Sequence, residues 1–401
     1  MLQLEEALAR ILEAIPPAAL ERVPLPLADG RVSAERVRAT TDLPRFDNSS
    51  MDGYAVRASD VAEAGPETAV VLRLVGRVAA GEHFPGSMRS GECVRLFTGS
   101  PLPQGADAVV MQEDTRESRP GALEIQILAR VQQGENVRSR GEDVRTGDVL
   151  VGLGETLMPG HLGLMAAAGV QELSVGSRPR VAVLATGSEL KEPGQPLGPG
   201  EIYESNRPAI AALCRLAGAL PRVFPIVPDS ADATRSALAS ALETCDMVVS
   251  CGGVSVGDLD FVKSAFEGIG GALAFWRIAI KPGKPFVFGR LSNQFLFGLP
   301  GNPVSALVTF HLLVRPAIRR WQGAKNVSPH AVGGITTGPL ENPGDRRHFF
   351  RVQLDAAGQV RATGMQASHV LSSLAAANGL VEVPPRTTVQ PGSPVKVILW
   401  S

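Results

Sequence analysis

The sequence predicts a multidomain α/β plus β protein, and three observations support that fold class. The chain has 401 residues, which is enough for roughly two to four domains. From residue 178 onward, strand-like runs alternate with helix-like segments, a pattern typical of a mostly parallel sheet covered by helices. On both sides of that region, short apolar runs separated by glycine and proline are typical of small β-rich domains.

These changes in sequence pattern divide the chain into four predicted domains. An N-terminal helical linker domain takes in residues 1–52 and 139–176, and it encloses an inserted β-rich domain at residues 53–138. A three-layer α/β domain with a mostly parallel sheet follows at residues 177–325. Residues 326–401 are expected to form a small β-barrel.

The first element is an amphipathic helix. Apolar residues recur at spacings of three and four from Leu4 to Ile15, and Pro16 and Pro17 end the pattern. The segment has neither the basic start nor the long apolar core of a signal peptide, so we expect none there. We expect residues 139–176 to pack back on this helix.

The remaining elements follow from hydrophobic periodicity and from turn residues. In the first half, strand-like runs occupy residues 69–78, 106–114 and 147–157, and a helix is expected at residues 160–169. The α/β region predicts, in order, strand 180–187, helix 206–219, strand 222–230, helix 231–244, strand 246–253, helix 257–269, strands 275–280 and 294–301, and helix 303–322. The C-terminal strands are expected at residues 348–355, 359–364, 380–384 and 394–400.

Composition excludes several functional classes. With 39 basic and 40 acidic side chains, the formal net charge is -1, so no global positive field attracts nucleic acid or an anionic membrane. The longest apolar stretch is shorter than the roughly 18 residues that a membrane span requires. The four cysteines form no C-x-x-C pair and no zinc-like cluster, which argues against a structural metal or a disulfide framework. We therefore expect a cytoplasmic protein without nucleic acid or membrane partners.

The loops after the predicted strands of the α/β domain are the expected place for chemistry. Ligands of open α/β sheets bind outside the carboxyl ends of the strands. Five segments there combine glycines, lysines and carboxylates: TGSEL (186–190), PDS (228–230), GGVSVGD (252–258), KPGKP (281–285) and LPGNPVS (299–305).

Two of these segments predict a binding site for phosphate. Lys281 and Lys284 lie between prolines that restrict the backbone, and a compact ammonium group suits a phosphate or another oxyanion. In LPGNPVS, Asn302 is expected to cap a helix that begins at Pro303. The exposed amides at such a helix start would hold an anion.

The carboxylates of the same loops predict a magnesium site. Four acidic groups beside a phosphate would repel it unless Mg²⁺ bridges them. The candidate ligands are Glu189, Asp229, Asp258 and Asp260. For one of the pair Asp258 and Asp260, capping of the following helix is an equally good explanation.

Common nucleotide motifs are absent from the sequence. The chain lacks the P-loop pattern, because Gly283-Lys284 is followed by Pro285, and no G-x-G-x-x-G follows the first α/β strand. The six histidines show no ligand spacing, and none resembles a general base. A P-loop NTPase or a Rossmann dehydrogenase is therefore not expected.

At these motifs the chain resembles the MoeA family, the molybdopterin molybdenumtransferases of molybdenum cofactor biosynthesis, which include the E domain of gephyrin. The resemblance runs along the whole chain in the family's order: DNSSMDGYAV, FTGSPLPQGADAVVMQED, RSRGEDV, TGSEL, ESNR, GGVSVGDLD, KPGKP, LPGNPVS and SHVLSSLAAANGL. Nine motifs in order are highly specific. The α/β domain is then of the molybdenum-cofactor-biosynthesis type.

The resemblance implies a reaction. Adenylylated molybdopterin and molybdate would be the substrates, Mg²⁺ would assist cleavage of the phosphate anhydride, and AMP would be released. It also implies a homodimer in which the N-terminal linker domain takes part in dimerisation and the active site lies between subunits. A contact with the molybdopterin adenylyltransferase, which makes the adenylylated substrate, would fit this reaction.

The family's motifs also imply roles for individual residues. The catalytic candidates are Asp52, Thr98, Asp143, Lys281 and Lys284. The substrate-binding candidates are Ser188, Gly252, Gly253, Ser255, Pro300, Gly301, Asn302, Pro303, Ser305 and Ser372. Thr98 would donate its hydroxyl to the oxyanion or would only cap a turn. Some relatives have lysine where this chain has Arg277, which keeps the charge but changes the donor geometry.

Two alternative functions remain open at this point. The α/β domain also resembles the adenylyltransferase domain that activates molybdopterin. Gephyrin's related domain anchors receptors, so a non-catalytic dimeric scaffold is the other alternative.

Overall fold

A computed structural model gives the structure of most of the chain. It describes residues 1–16, 19–117, 119, 121, 123–254 and 261–400. The predicted site residues Ser255, Asp258 and Asp260 lie outside the described residues.

The N-terminal region begins with the predicted amphipathic helix, α1 (Leu4–Ala14). Its buried residues join the core on one side of the α/β domain, where α1 packs against the last helix of that domain. The short strands that follow are β1 (Leu20–Pro24), β2 (Val37–Arg38) and β3 (Asn48–Ser49).

The inserted region forms a six-stranded sheet. Its strands are β4 (Gly53–Val56), β5 (Val70–Val78), β6 (Glu92–Leu96), β7 (Ala108–Met111), β8 (Thr115–Glu117) and β9 (Glu124–Ile127). Their order across the sheet is β7-β4-β6-β5-β9-β8. This agrees with the predicted β-rich character of the segment.

The chain then returns to the N-terminal region through β10 (Val137–Arg138), β11 (Val149–Val151), α2 (Pro159–Ala167) and β12 (Glu172–Gly176). These strands pair antiparallel with β3, β2 and β1, respectively. The prediction that this segment packs on the N-terminal helix is therefore wrong. It packs on the strands after the helix, because α1 buries its apolar face against the α/β domain.

The α/β region supplies the largest set of elements. They are β13 (Arg180–Ala185), β14 (Leu190–Lys191), β15 (Ile202–Tyr203), α3 (Asn206–Leu216), β16 (Leu220–Val223), α4 (Ala231–Thr244), β17 (Met247–Cys251), α5 (Val262–Gly268), β18 (Ala272–Trp276), β19 (Ile280–Lys281), β20 (Val287–Leu291), β21 (Gln294–Leu299), α6 (Pro303–Thr309) and α7 (Arg315–Trp321). A short π-helical segment, Phe310–Val314, joins α6 to α7.

The main sheet of this region is mostly parallel, as predicted. Its order is β16-β13-β17-β21-β20-β18, and β20 is antiparallel to both of its neighbours. Alternate residues of β13 face two cores: Val181 and Val183 belong to one, and Ala182 and Leu184 to the other. Helices therefore cover both faces, which confirms the three-layer α/β fold.

The predicted strand 275–280 is interrupted. β18 ends at Trp276, and β19 leaves the sheet to pair with a strand of the C-terminal domain. The chain then re-enters the sheet as β20, in which Val287 pairs with Gly298 near the carboxyl end of β21. The segment just before β20 therefore lies at the same edge of the sheet as the loops after β13, β17 and β21.

The C-terminal region forms the predicted small β-barrel. Its elements are β22 (Ala331–Thr336), β23 (Leu340–Asn342), β24 (Arg347–Leu354), β25 (Gln359–Ala362), α8 (Leu371–Ala375), β26 (Gly379–Val383), β27 (Thr387–Val389) and β28 (Pro394–Leu399). The order β24-β25-β22-β28-β26 closes because β26 also pairs with β24. In the described part of the chain, no helix combines the length and apolar character needed to cross a membrane.

Candidate active site

Loops at the carboxyl ends of neighbouring strands are hydrogen-bonded to one another. The Gly187 N–H donates to the Val227 carbonyl at 3.1 Å, and the Thr186 N–H donates to the Cys251 carbonyl at 3.0 Å. The Gly252 N–H donates to the Leu299 carbonyl at 3.1 Å. The segments that sequence analysis selected after β16, β13, β17 and β21 therefore lie side by side along one edge of the sheet.

The lysine loop, residues 281–285, occupies the next place along this edge. Both Lys281 and Lys284 are exposed, whereas Pro282 and Gly283 between them are buried. The Ile278 N–H donates to the Lys284 carbonyl at 3.1 Å, which fixes the loop against the end of β18. The loop backbone is thus anchored in the protein while the two ammonium groups face outward.

A cavity of about 700 Å³ lies between the lysine loop and the C-terminal barrel. Both lysines line it, together with Pro300, Asn302 and Ser305 of the neighbouring loop. The barrel side contributes polar side chains that sequence analysis did not select, namely Glu341, Arg346, His348, Gln366 and Ser368. We call this space the lysine cavity.

The loop at residues 299–305 has the predicted helix start. Asn302 is the N-cap residue of α6, and Pro303 occupies the first turn. The Asn302 side chain does not cap the helix, however, and its amide donates to the Ser368 hydroxyl at 3.1 Å. Gly301 accepts a 2.7 Å hydrogen bond from the buried Asn206 side chain. The loop is therefore held from both sides by groups outside it.

Gly252 and Gly253 have a packing reason to be glycine. Both have positive φ, +92° and +66°. A Cβ at Gly252 would lie 2.7 Å from the Thr186 carbonyl oxygen, and one at Gly253 would lie 2.8 Å from the Thr186 hydroxyl. The close approach of the two loops requires glycine at these positions, whatever they bind.

The carboxylates that the structure describes lie toward the other end of the edge. The Ser188 N–H donates to an Asp229 carboxylate oxygen at 3.0 Å, and the Asp229 N–H donates to the Ser188 hydroxyl at the same distance. Glu189 follows in the same turn and is exposed. Ser188, Glu189 and Asp229 are thus brought together.

These donors are compatible with magnesium but do not complete a site. Carboxylate oxygens are hard ligands of the kind that Mg²⁺ prefers, and the ion commonly takes only one or two of them. Among the described residues, no group of three His, Cys, Asp or Glu side chains is placed to hold a metal ion. The magnesium site stays a prediction.

The lysines and these carboxylates are well separated along the edge. Glu189 follows β13, the lysine loop precedes β20, and two strands lie between them. At about 4.8 Å per strand, the strand ends are roughly 14 to 15 Å apart. The lysines and the carboxylates therefore do not come from adjacent strands.

Asp52 and Thr98 form a second, compact part of the candidate site. The Thr98 N–H and its hydroxyl both donate to one Asp52 carboxylate oxygen at 2.8 Å. The backbone hydrogen bond first, and then the hydroxyl, hold the pKa of the Asp52 carboxyl below its ordinary value. Asp52 is therefore ionised at neutral pH, and the Thr98 hydroxyl is committed to it.

Asp143 lies on a neighbouring loop. It is exposed, and its N–H donates to the Leu43 carbonyl at 3.1 Å. The adjoining Asp42 accepts hydrogen bonds from the Thr146 N–H and hydroxyl, both at 2.8 Å, which lower its pKa to about 2. Within the described residues, no hydrogen bond joins Asp52, Asp143 or Thr98 to the lysine loop.

The structure does not bring Ser372 to the lysines. Ser372 is at the exposed start of α8, where it lines a separate, apolar cavity of about 450 Å³ with Leu213, Leu307 and Trp400. Ser368, four residues earlier in the same motif, lines the lysine cavity instead. The short helix turns Ser372 away from the cavity.

Arg277 is held against an aromatic ring. Its guanidinium lies 3.9 Å from the centre of the Trp276 ring, and the Lys263 ammonium lies 4.2 Å from the same centre. Such stacking suits a planar guanidinium. The cation–π contact therefore gives Arg277 a structural role at this position.

Family comparisons agree with the fold along the chain. Three family profiles match: "MoeA N-terminal region (domain I and II)" at residues 2–169, "Probable molybdopterin binding domain" at residues 182–320 and "MoeA C-terminal region (domain IV)" at residues 334–400.

Individual relatives match over nearly their full length. A molybdopterin molybdenumtransferase of Haemophilus influenzae is 39% identical over 384 residues, which covers 94% of this chain and 93% of the relative. Molybdopterin molybdenumtransferase 2 of Mycobacterium tuberculosis is 40% identical over 369 residues, or 90% of each chain. The crystal structure of a molybdopterin biosynthesis MoeA protein from Pyrococcus horikoshii OT3 superposes over 100% of both chains, with a TM-score of 0.84 and 30% identity. The chain belongs to the MoeA family of molybdopterin molybdenumtransferases.

Proposed function

We propose that this chain inserts molybdenum from molybdate into adenylylated molybdopterin and releases AMP in a Mg²⁺-dependent reaction. The family to which it belongs supports transfer of molybdenum to molybdopterin. The observation that carries the proposal at the site is the pair of exposed lysines on an anchored loop, lining a cavity beside the loop of Asn302.

The lysines would act on the phosphate groups of the substrate. Lys281 and Lys284 line the cavity, and they would place two positive charges where the anhydride oxygens gain negative charge as the bond to AMP breaks. Their loop is anchored before substrate arrives, so little reorganisation is needed. The main-chain N–H groups of Gly301, Asn302 and Ser305 would add neutral donors to the same oxygens.

The carboxylates would hold the metal toward the other end of the same sheet edge. Glu189 and Asp229, joined by Asp258 or Asp260, would bind Mg²⁺ directly or through water. The ion would supply charge neutralisation for phosphate oxygens.

Asp52 and Asp143 would orient the attacking group. The hydrogen bonds from Thr98 keep Asp52 ionised and fixed in direction, so it suits acceptance of a hydrogen bond from water or from a hydroxyl form of molybdate. Thr98 then acts by positioning Asp52 and does not itself donate to the oxyanion. These groups would reach the lysine cavity from the partner subunit of a homodimer.

The proposal extends to organisation and location. We propose a cytoplasmic homodimer, with the N-terminal linker domain at residues 1–52 and 139–176, the inserted domain at 53–138, the α/β domain at 177–325 and the barrel at 326–401. The adenylyltransferase that makes the substrate would contact this protein during transfer.

A reconstituted reaction tests the proposal. The purified chain is given adenylylated molybdopterin with molybdate, with and without Mg²⁺, and AMP is quantified by chromatography. A parallel sample receives ATP and molybdopterin. We expect AMP release that requires both molybdate and Mg²⁺. Net adenylylation in the parallel sample would favour the adenylyltransferase alternative, and absence of turnover in both samples would favour a scaffold.

A further inference from the structure

His348 is a buried histidine that lines the lysine cavity from the barrel side. It lies on β24, where it pairs in register with Lys281 of β19. Only 3% of the residue is exposed, and its ring stacks on Phe350 with the ring centres 4.1 Å apart. The imidazole is therefore held in place next to the backbone that carries a predicted catalytic lysine.

Neither ring nitrogen of His348 has a hydrogen-bond partner among the described residues. A buried imidazole has one donor and one acceptor to satisfy, and most buried polar groups in proteins find partners. Both nitrogens are covered by protein atoms, but the residue lines the lysine cavity, so a ligand there would supply a partner once the ring turns a nitrogen toward the cavity. This separates His348 from buried His311, whose Nε2 lies 2.7 Å from the Leu399 carbonyl oxygen.

Burial, together with nearby positive charges, keeps the His348 imidazole neutral in the free protein. Burial first, and then the positive charges nearby, lower its pKa to about 4. The charged groups that face it or line the same cavity come from β19, β23, β24 and the adjoining loops, and they are Lys281, Lys284, Glu341, Arg346 and Arg351. Among the groups that line the cavity itself, Lys281, Lys284 and Arg346 are positive and Glu341 is negative, so the cavity favours an anion.

We propose that His348 donates a hydrogen bond to a tetrahedral oxyanion bound beside Lys281, and that it takes up a proton when this anion binds. The proposal rests on the proposed function only in treating the lysine cavity as an oxyanion site. A bound dianion offsets the positive charges and offers an acceptor, and both effects stabilise the imidazolium. Proton uptake then makes the anion bind more tightly at lower pH.

The size of the effect follows from linkage. If anion binding returns His348 to the ordinary histidine pKa of about 6.5, binding at pH 6 takes up about 0.75 proton. The same shift makes the anion bind about fourfold more tightly at pH 6 than at pH 8. Molybdate and the phosphate group of AMP are both tetrahedral oxyanions. Separate titrations with each therefore show which of the two binds beside His348.

Histidine NMR tests the proposal on the intact chain. The imidazole Cε1–H signals are followed between about pH 5.5 and 8, first without anion and then with saturating sulfate, molybdate or AMP. Sulfate serves as a dianion that does not titrate in this range. The His348 signal is assigned by its loss in His348→Gln, and His330→Gln, at an exposed position outside the cavity, is the matched control. If His348→Gln does not fold, substitution of the other five histidines assigns the signal by elimination.

The expected result is a His348 signal that is flat across this pH range without anion and that titrates near pH 6.5 with anion. Anion affinity should fall about fourfold from pH 6 to pH 8 in wild type and His330→Gln, and this dependence should be lost in His348→Gln. A His348 signal that ignores all three anions, or that already titrates normally without them, would overturn the proposal.

The outcome separates this inference from the proposed function. Normal AMP release with an unresponsive His348 would reject the proton-linked contact and leave the proposed reaction standing. If the His348 signal responds to anions but the protein releases no AMP, the proton-linked contact would stand and the proposed reaction would be rejected.

Discussion

Replacing Gly283 with alanine is expected to destabilise the protein and to displace the lysine loop. Gly283 lies between the two lysines with φ of +113°, a backbone conformation that side chains with a Cβ rarely adopt. The residue is buried, and a Cβ built on it would lie 2.5 Å from the Thr309 Cγ2 methyl group and 3.2 Å from Ile280 Cδ1. Thr309 cannot easily turn away, because its hydroxyl donates to the Ser305 carbonyl at 2.8 Å.

The two costs can be estimated separately. A left-handed backbone costs a residue with a Cβ about 1–2 kcal/mol. Insertion of a methyl group into a filled site costs about 1–3 kcal/mol more. We therefore expect Gly283→Ala to lower the free energy of unfolding by about 2–5 kcal/mol. A loop shift of about 1 Å would also reduce AMP release by roughly a hundredfold.

Gly200→Ala is the matched control. Gly200 has φ of +82°, but no atom lies within 4 Å of the position where its Cβ would be, so only the backbone cost applies. Urea denaturation followed by tryptophan fluorescence measures both variants. The double variant Gly283→Ala with Thr309→Ser removes the clashing methyl group and should recover the steric part of the loss.

The reasoning fails if Gly283→Ala is no less stable than Gly200→Ala. It also fails if Gly283→Ala keeps wild-type AMP release, because the lysines would then not depend on the conformation of their loop.

Three further predictions concern groups around the site. Asp52→Asn should fold and bind AMP normally but transfer little molybdenum, as measured by metal content of the product; wild-type transfer would exclude Asp52 from the chemistry. Asn206→Ala removes the 2.7 Å hydrogen bond to the Gly301 carbonyl, and should cost about 1–3 kcal/mol in urea denaturation and slow AMP release; an unchanged rate would show that Gly301 needs no such support. For Asp42, the pKa of about 2 lies below the unfolded value of about 3.9, so its stabilising effect is present above that value and is lost as pH falls toward 2. Asp42→Asn should thus melt below wild type at neutral pH, and the two melting curves should converge near pH 2; a constant difference would contradict the assignment.

The alternation of strands and helices was enough to predict the parallel sheet, because continuous apolar runs are required where both faces are covered. Sequence analysis assigned no strand at residues 287–291, so neither β20 nor its antiparallel direction was predicted. Nor could it predict that α1 packs on the α/β domain, because an amphipathic stripe does not specify its partner. Changes in sequence pattern along the chain predicted the domain order before the family resemblance was considered.

The positions of the candidate site residues were easiest to predict where backbone topology sets them. Residues after β13, β17 and β21 lie together because parallel strands end at one edge. Side chains from the barrel escaped prediction, since the pairing of β19 with β24 that brings His348 to Lys281 joins segments far apart in sequence. Ser368 and Ser372 stand in one motif, and only the course of the chain into α8 decides which of them lines the lysine cavity.

Single-turnover AMP release by Lys281→Ala tests the central claim most directly. Lys396→Ala, at an exposed lysine of the barrel away from the lysine cavity, is the matched control. Loss of one charged donor to the oxyanion should slow release by about a hundredfold to a thousandfold in Lys281→Ala, with the melting temperature unchanged, while Lys396→Ala behaves as wild type. Equal rates for the two variants would contradict the assignment of the lysine loop as the place where the phosphate anhydride is cleaved.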